Sequence, residues 1–203
     1  MDIKLKFINR SNDVANNQVV IFQKNLAADY PTVAWRVIEQ CGPGEYHPFT
    51  YPMDLGVTST DAWGNYTPML SVREGQLYEV KRDMSGEVLA LAGVASSPTE
   101  IQVVNALPTG AVGAHLYRGE RMVGLKTSLA PGQKAVFQFK PTLWIGLASE
   151  TVEGDSLDPA ALADINTELS LLGIASADIV MTGGGPGPAA TAFAFRLENV
   201  VVA

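Results

Sequence analysis

Apolar and polar residues alternate with a period of two along most of this chain, the signature of strands with one dry face. Ile3, Leu5 and Phe7 alternate with Asp2, Lys4 and Lys6, predicting a first strand. Residues 19–22 form a continuous apolar run, suited to a strand covered on both faces. Two periods compete over residues 32–40. Val33, Trp35 and Val37 alternate as in a strand, while Val33, Val37 and Cys41 recur at helical spacing. β-Branched and aromatic content, and the abrupt stop at Gly42-Pro43-Gly44, favour the strand.

From Tyr66 onward, turn pairs recur: Glu74-Gly75, Ser85-Gly86, Arg118-Gly119 and Pro131-Gly132. They separate apolar runs at 69–72, 77–82, 88–94, 101–107, 112–117, 122–127, 135–139 and 143–147. Short strands so spaced predict an all-β fold, an antiparallel β-sandwich with Greek-key or jelly-roll-like connections. At most one or two short helices are expected, the clearest starting at Asp158-Pro159, a capping residue followed by proline at the first helical position. Alternation resumes over 165–171, another strand is predicted over 177–182, and Gly183-Gly184-Gly185-Pro186-Gly187-Pro188 reads as a linker. A last strand carries Phe193, Phe195 and Leu197 on one face. It ends in Val200-Val201-Val202, which should be paired and buried. No internal repeat of convincing similarity is visible. One β-rich domain over 1–203 is expected, a division near 95 or 150 being the alternative.

Composition sharpens this picture. Charged residues are 17% of the chain, against about 25% in an average soluble domain, while apolar residues reach 47%. So few ionic groups suit a surface partly covered by another copy, because interface cores are depleted of charge. A homo-oligomer is the expected state. The net charge of −7, with basic residues scattered, disfavours nucleic acid and anionic lipid as partners. One cysteine excludes an intramolecular disulfide and a cysteine-rich zinc site. The N-terminal stretch lacks the apolar core of a signal peptide, and no apolar run reaches the roughly 20 residues of a spanning helix. A cytoplasmic location is expected, a non-classical export route leaving no mark.

Catalytic motifs are absent: there is no phosphate-binding glycine loop, dinucleotide fingerprint or nucleophile elbow. His47 and His115 are the only histidines, too few for a three-histidine metal site. Cys41 with either is a formal nucleophile–base pair lacking an orienting third group. Glu150, Glu153, Asp155 and Asp158 put oxygen ligands at short intervals but miss the EF-hand spacing. A solvated loop is the simpler reading. No cofactor, metal or catalytic residue is assigned.

Residues 45–66 are the most informative stretch. Tyr46, His47, Tyr51, Trp63 and Tyr66 lie among Asp61, Asn65 and further aromatic and acidic residues. Aromatic rings stack on the apolar face of a sugar while carboxylates and amides hold its hydroxyls; the same inventory anchors protein interfaces or packs beneath a long loop. Three readings follow. The first is a non-enzymatic, self-associating β-sandwich structural or interaction protein. The second is a glycan- or small-ligand-binding module using 45–66. The third is a pore-forming or membrane-active β protein, for which 111–127 is the candidate hairpin. An enzyme with Asp54 and Asp61 as paired carboxylates is the weakest alternative.

Overall fold

The computed structural model describes residues 2–13, 15, 17–165 and 167–203. The first stretch contains β1 (Ile3–Asn9), β2 (Gln18–Phe22), β3 (Ala34–Ile38) and β4 (Tyr46–Tyr51). Next come β5 (Leu55–Thr60), β6 (Leu70–Val72), β7 (Gln76–Asp83) and β8 (Gly86–Val94). They are followed by β9 (Ile101–Asn105), β10 (Val112–Arg118), β11 (Arg121–Leu129) and β12 (Lys134–Phe137). The last stretch holds β13 (Thr142–Ala148), helix α1 (Pro159–Asp164), β14 (Thr167–Ser170), β15 (Ile174–Gly184) and β16 (Thr191–Val202). The fold is all-β and sandwich-like, with four mainly antiparallel sheets.

The chain divides into two compact units. Residues 1–23, 34–53 and 141–203 form the first, and residues 24–33 and 54–140 the second. In the first, one sheet has the order β16-β15-β1-β4 and the other β14-β13-β2-β3. Ile3, Leu5, Phe7 and Asn9 of β1 point inward, as alternation requires. Val19 to Phe22 are all buried, which explains the unbroken apolar run of β2. Trp35 of β3 meets Phe49 and Tyr51 of β4 edge-on, with ring centroids at 6.3 and 5.6 Å, and so joins the two sheets. Leu157 and Ile165, on either side of α1, pack with Val20, Phe22 and Ala34. The Asp158 carboxylate accepts the Ala160 amide at 2.7 Å, and Pro159 opens the helix, as the sequence predicts.

In the second unit the sheets run β11-β10-β5-β6 and β12-β9-β7-β8. Their core includes Val57, Val72, Tyr78, Val80, Val103, Leu116, Val123, Leu129 and Phe137. The four turn pairs read from the sequence fall at the ends of β6–β7, β7–β8, β10–β11 and β11–β12.

The sequence pattern misleads in four places. Residues 46–51, expected in a loop, form β4, paired antiparallel with β1. Pro48 and the exposed Tyr46 and His47 hide the inward set of Phe49 and Tyr51. Proline is tolerated because β4 is an edge strand, where a missing N–H deprives no neighbour. Gly183 and Gly184 extend β15 rather than belonging to a linker, and the reversal into β16 is made by a short 3-10 turn at Gly187–Ala189. The final valines are paired, since Val201 and Val202 lie opposite Ser176 and Ile174, but they are not buried within the chain. Two pairings, β1 with β15 and β7 with β9, are parallel, a long-range arrangement invisible to hairpin signals.

Candidate functional site

The aromatic segment divides between the two units. Tyr46, His47 and Tyr51 lie on β4 of the first. Tyr51 is 1% exposed against Trp35, so its ring belongs to the core. Tyr46 and His47 face solvent, and His47 Nε2 lies 3.1 Å from the Gln40 carbonyl. His47 borders an open depression with Arg36 and Glu39, where the Arg36 guanidinium also sits 4.8 Å above the Phe49 ring.

Asp61, Trp63, Asn65 and Tyr66 come together in the second unit, in the turn after β5. Asp61 organises it: Oδ1 accepts the amides of Trp63 and Asn65 at 2.8 and 2.9 Å, and Oδ2 accepts the Asn65 side-chain amide at 2.8 Å. A short acidic side chain bonding its own downstream backbone closes such turns. The Asn65 side chain, then the turn amides, hold the Asp61 carboxyl below the usual carboxylate range, so it stays ionised. The Trp63 ring on this turn is 87% exposed.

Two open depressions flank this turn. One, of about 300 Å³, is lined by Ser59, Asp61, Asn65, Tyr66, Thr67 and Glu87. The other, of about 340 Å³, is lined by Asp61, Trp63, Arg82, Glu87 and Thr109 among others. Arg82 and Glu87 form a 2.9 Å ion pair across the β7–β8 ladder. Beneath the turn, the Tyr66 ring stands edge-on to His115 with centroids 5.2 Å apart. His115 Nε2 is 3.4 Å from Thr60 Oγ1, and its buried Nδ1 has no hydrogen-bond partner. Burial pushes the His115 pKa down, which keeps the ring neutral. Arg82, Glu87, Ser59 and Thr67 were not legible as site residues. Arg82 and Glu87 lie 19 and 24 positions from Trp63, and their only local signal is a cross-strand pair beside a tight turn.

The remaining chemistry candidates are occupied structurally. Cys41 is buried; burial, then the Glu45 charge, pushes its thiol pKa up, the opposite of an activated nucleophile. A carboxylate oxygen of Glu153 accepts the Val37 amide at 3.0 Å, and Asp158 caps α1. Among the described residues no group of three His, Cys, Asp or Glu is placed to hold a metal. Asp54 and Asp61 flank the whole of β5. At ~3.3 Å per residue that separates them by roughly 20 Å, beyond the ~5–9.5 Å of a glycosidase carboxylate pair.

The second candidate surface is β16 itself. It is a 12-residue strand at the edge of its sheet. Val200, Val201 and Val202 are 46%, 54% and 77% exposed, and the charged residues of the strand are Arg196 and Glu198. The hairpin considered for membrane insertion is β10–β11. Within it β10 is mostly buried and paired on its other side with β5. No helix among the described residues is long and apolar enough to cross a membrane. No family model, no curated protein and no solved structure matches the chain.

Proposed function

We propose that this protein is a non-catalytic assembly protein that associates with further copies of itself through the outer edge of β16. The uncovered apolar end of that strand carries the proposal: Val200 to Val202 face solvent on an edge whose backbone groups are paired on one side only. Long, flat, apolar edge strands template further strands, and monomeric proteins blunt them with charge, proline or bulges. β16 holds no proline and its charges sit before the valines; the pairing irregularity at residues 199–200, where Asn199 has φ +50°, precedes Val201 and Val202, which remain paired with Ser176 and Ile174. Covering three half-exposed valines contributes roughly 2–4 kcal/mol per subunit before backbone pairing is counted. Low overall charge is consistent with this role. Sedimentation velocity at micromolar concentration should give a dimer or larger species, and Val200→Lys with Val202→Lys should yield a folded monomer. A wild-type monomer under those conditions defeats the proposal.

The Trp63 turn favours a second reading, a binding surface for a neutral polar ligand such as a glycan. An exposed indole beside Asp61, Arg82 and Glu87 offers a stacking face with hydroxyl-binding groups at its rim. On a glycan array, Trp63→Ala should abolish any signal given by the wild type while leaving Tm within a degree or two. An unchanged array pattern, or no wild-type signal at all, counts against this reading.

A further inference from the structure

We infer that the two units are copies of one eight-stranded fold, joined in tandem and circularly permuted. Their strands correspond when the first unit is read β13, β14, β15, β16, β1, β2, β3, β4 and the second β5 to β12 in order. The first unit's sheets then become copies of the second's. β14-β13-β2-β3 matches β6-β5-β10-β11, and β16-β15-β1-β4 matches β8-β7-β9-β12. All six strand pairings agree, in partner and in sense. The single parallel pair of each unit, β1 with β15 and β9 with β7, falls at the same place. Chance agreement would have to reproduce both sheet orders, five antiparallel pairings and the one parallel crossover together.

Hydrogen bonds at one corner carry the match to individual residues. Asn9 ends β1 and Asn105 ends β9, and both are 0% exposed. Asn9 Nδ2 donates to the Cys41 carbonyl at 2.7 Å, and Asn105 Nδ2 to the Leu129 carbonyl at 2.8 Å. Each Oδ1 accepts the amide two residues on, from Ser11 at 2.9 Å and Leu107 at 3.0 Å. The Asn9 amide donates to the Glu45 carbonyl and the Asn105 amide to that of Gln133, at 3.0 and 2.9 Å. Gly44 and Gly132 each donate to the asparagine carbonyl at 2.7 Å. Both glycines have positive φ, +89° and +78°. Glu45 and Gln133 each fold a side-chain oxygen back to the amide three residues earlier, at 2.8 and 2.9 Å. The next residue bonds the parallel neighbour in both units, Arg10 to Met181 and Ala106 to Val80, each at 2.9 Å.

Sequence echoes this geometry at the corner alone. Pro43-Gly44-Glu45 stands against Pro131-Gly132-Gln133, each followed four residues later by a buried phenylalanine, Phe49 or Phe137. The break in the first unit lies between β16 and β1, where the second has its β8–β9 connection. Lys4 and Val201 both lie opposite Ser176, as Ile101 and Val94 both lie opposite Gln76. Two strand spacings, about 10 Å, therefore separate the strands to be joined, a gap six residues cross readily.

Two full-length variants test this. In one, residues 41–45 and 129–133 are exchanged. In the other, the chain begins at Pro141, continues from Ala203 through a linker copying residues 95–100 into Asp2, and ends at Lys140. Both should keep the wild-type near-UV circular dichroism and melt within a few degrees of wild type. Equivalence of the corners is overturned if the exchanged protein melts no higher than one with glycine-serine at both corners. Failure of the rejoined chain to fold overturns the permuted order.

Discussion

At the scale of single residues, burial separates the candidates that sequence grouped together. Tyr51 and Trp63 are both aromatic residues in one segment, yet one is wedged against Trp35 and the other stands in solvent. Nothing local distinguishes them, because the difference is made by which side of a strand each ring leaves from and by what lies across the sandwich. Asp61 and Asn65 were legible as polar partners of Trp63, and the turn explains their spacing of four. His115 gives a prediction of its own. Its folded-state pKa lies below the unfolded value of about 6.5, so as pH falls below that value the unfolded chain takes up a proton that the folded chain resists. Stability should therefore decline from about pH 6.5 downward, toward the depressed folded pKa. His115→Gln should flatten the slope of Tm against pH in that window, measured by thermal melts in matched ionic strength. A slope unchanged by the substitution would show that His115 does not couple to folding. Asp178 and Glu198 act lower in pH. Burial opposes ionisation of Asp178, but Asn199 and Lys6 outweigh it, and Arg196 holds Glu198 ionised, so what they contribute is lost in acid.

At the scale of elements, the strands with a clear apolar pattern, alternating or continuous, were legible and those carrying special residues were not. β1, β2, β7, β10 and β15 follow their hydrophobic pattern, and α1 follows its capping residue. β4 escaped notice because Pro48 and two exposed polar or aromatic residues occupy its outward positions, and β16 was legible as a strand but not as an uncovered one. Exposure depends on what the rest of the chain leaves over, which a local pattern does not encode. The β15–β16 hairpin has its own dependence on glycine. Gly183 has φ +96°, and a Cβ there would collide with the Ala192 carbonyl of the facing strand. Gly183→Ala should cost about 1–2 kcal/mol for the left-handed backbone alone. The clash adds to this, lowering Tm by several degrees in a calorimetric scan. A neutral result would mean that the hairpin relaxes without penalty.

At the scale of the whole molecule, the all-β class was legible throughout, while the repetition was not. Permutation moves the matching halves to opposite ends of the chain, and the spacing between equivalents is not constant. It is 96 residues at Asn9 and Asn105 but 88 at Gly44 and Gly132. Only the Pro-Gly corner and its phenylalanine preserve a common pattern, because there a positive φ and a buried amide network leave few substitutes. Elsewhere any apolar residue of suitable size fills an inward position.

Pro48 on β4 also bears on how far assembly can run. The sheet that exposes β16 at one side ends at the other in a strand whose proline has no N–H to offer an incoming chain. In the proposed association, two such sheets joined through their β16 margins place a Pro48-bearing strand at each outer side. A pair so formed would offer incoming chains a margin interrupted by proline on both flanks, which works against continuation into a fibre.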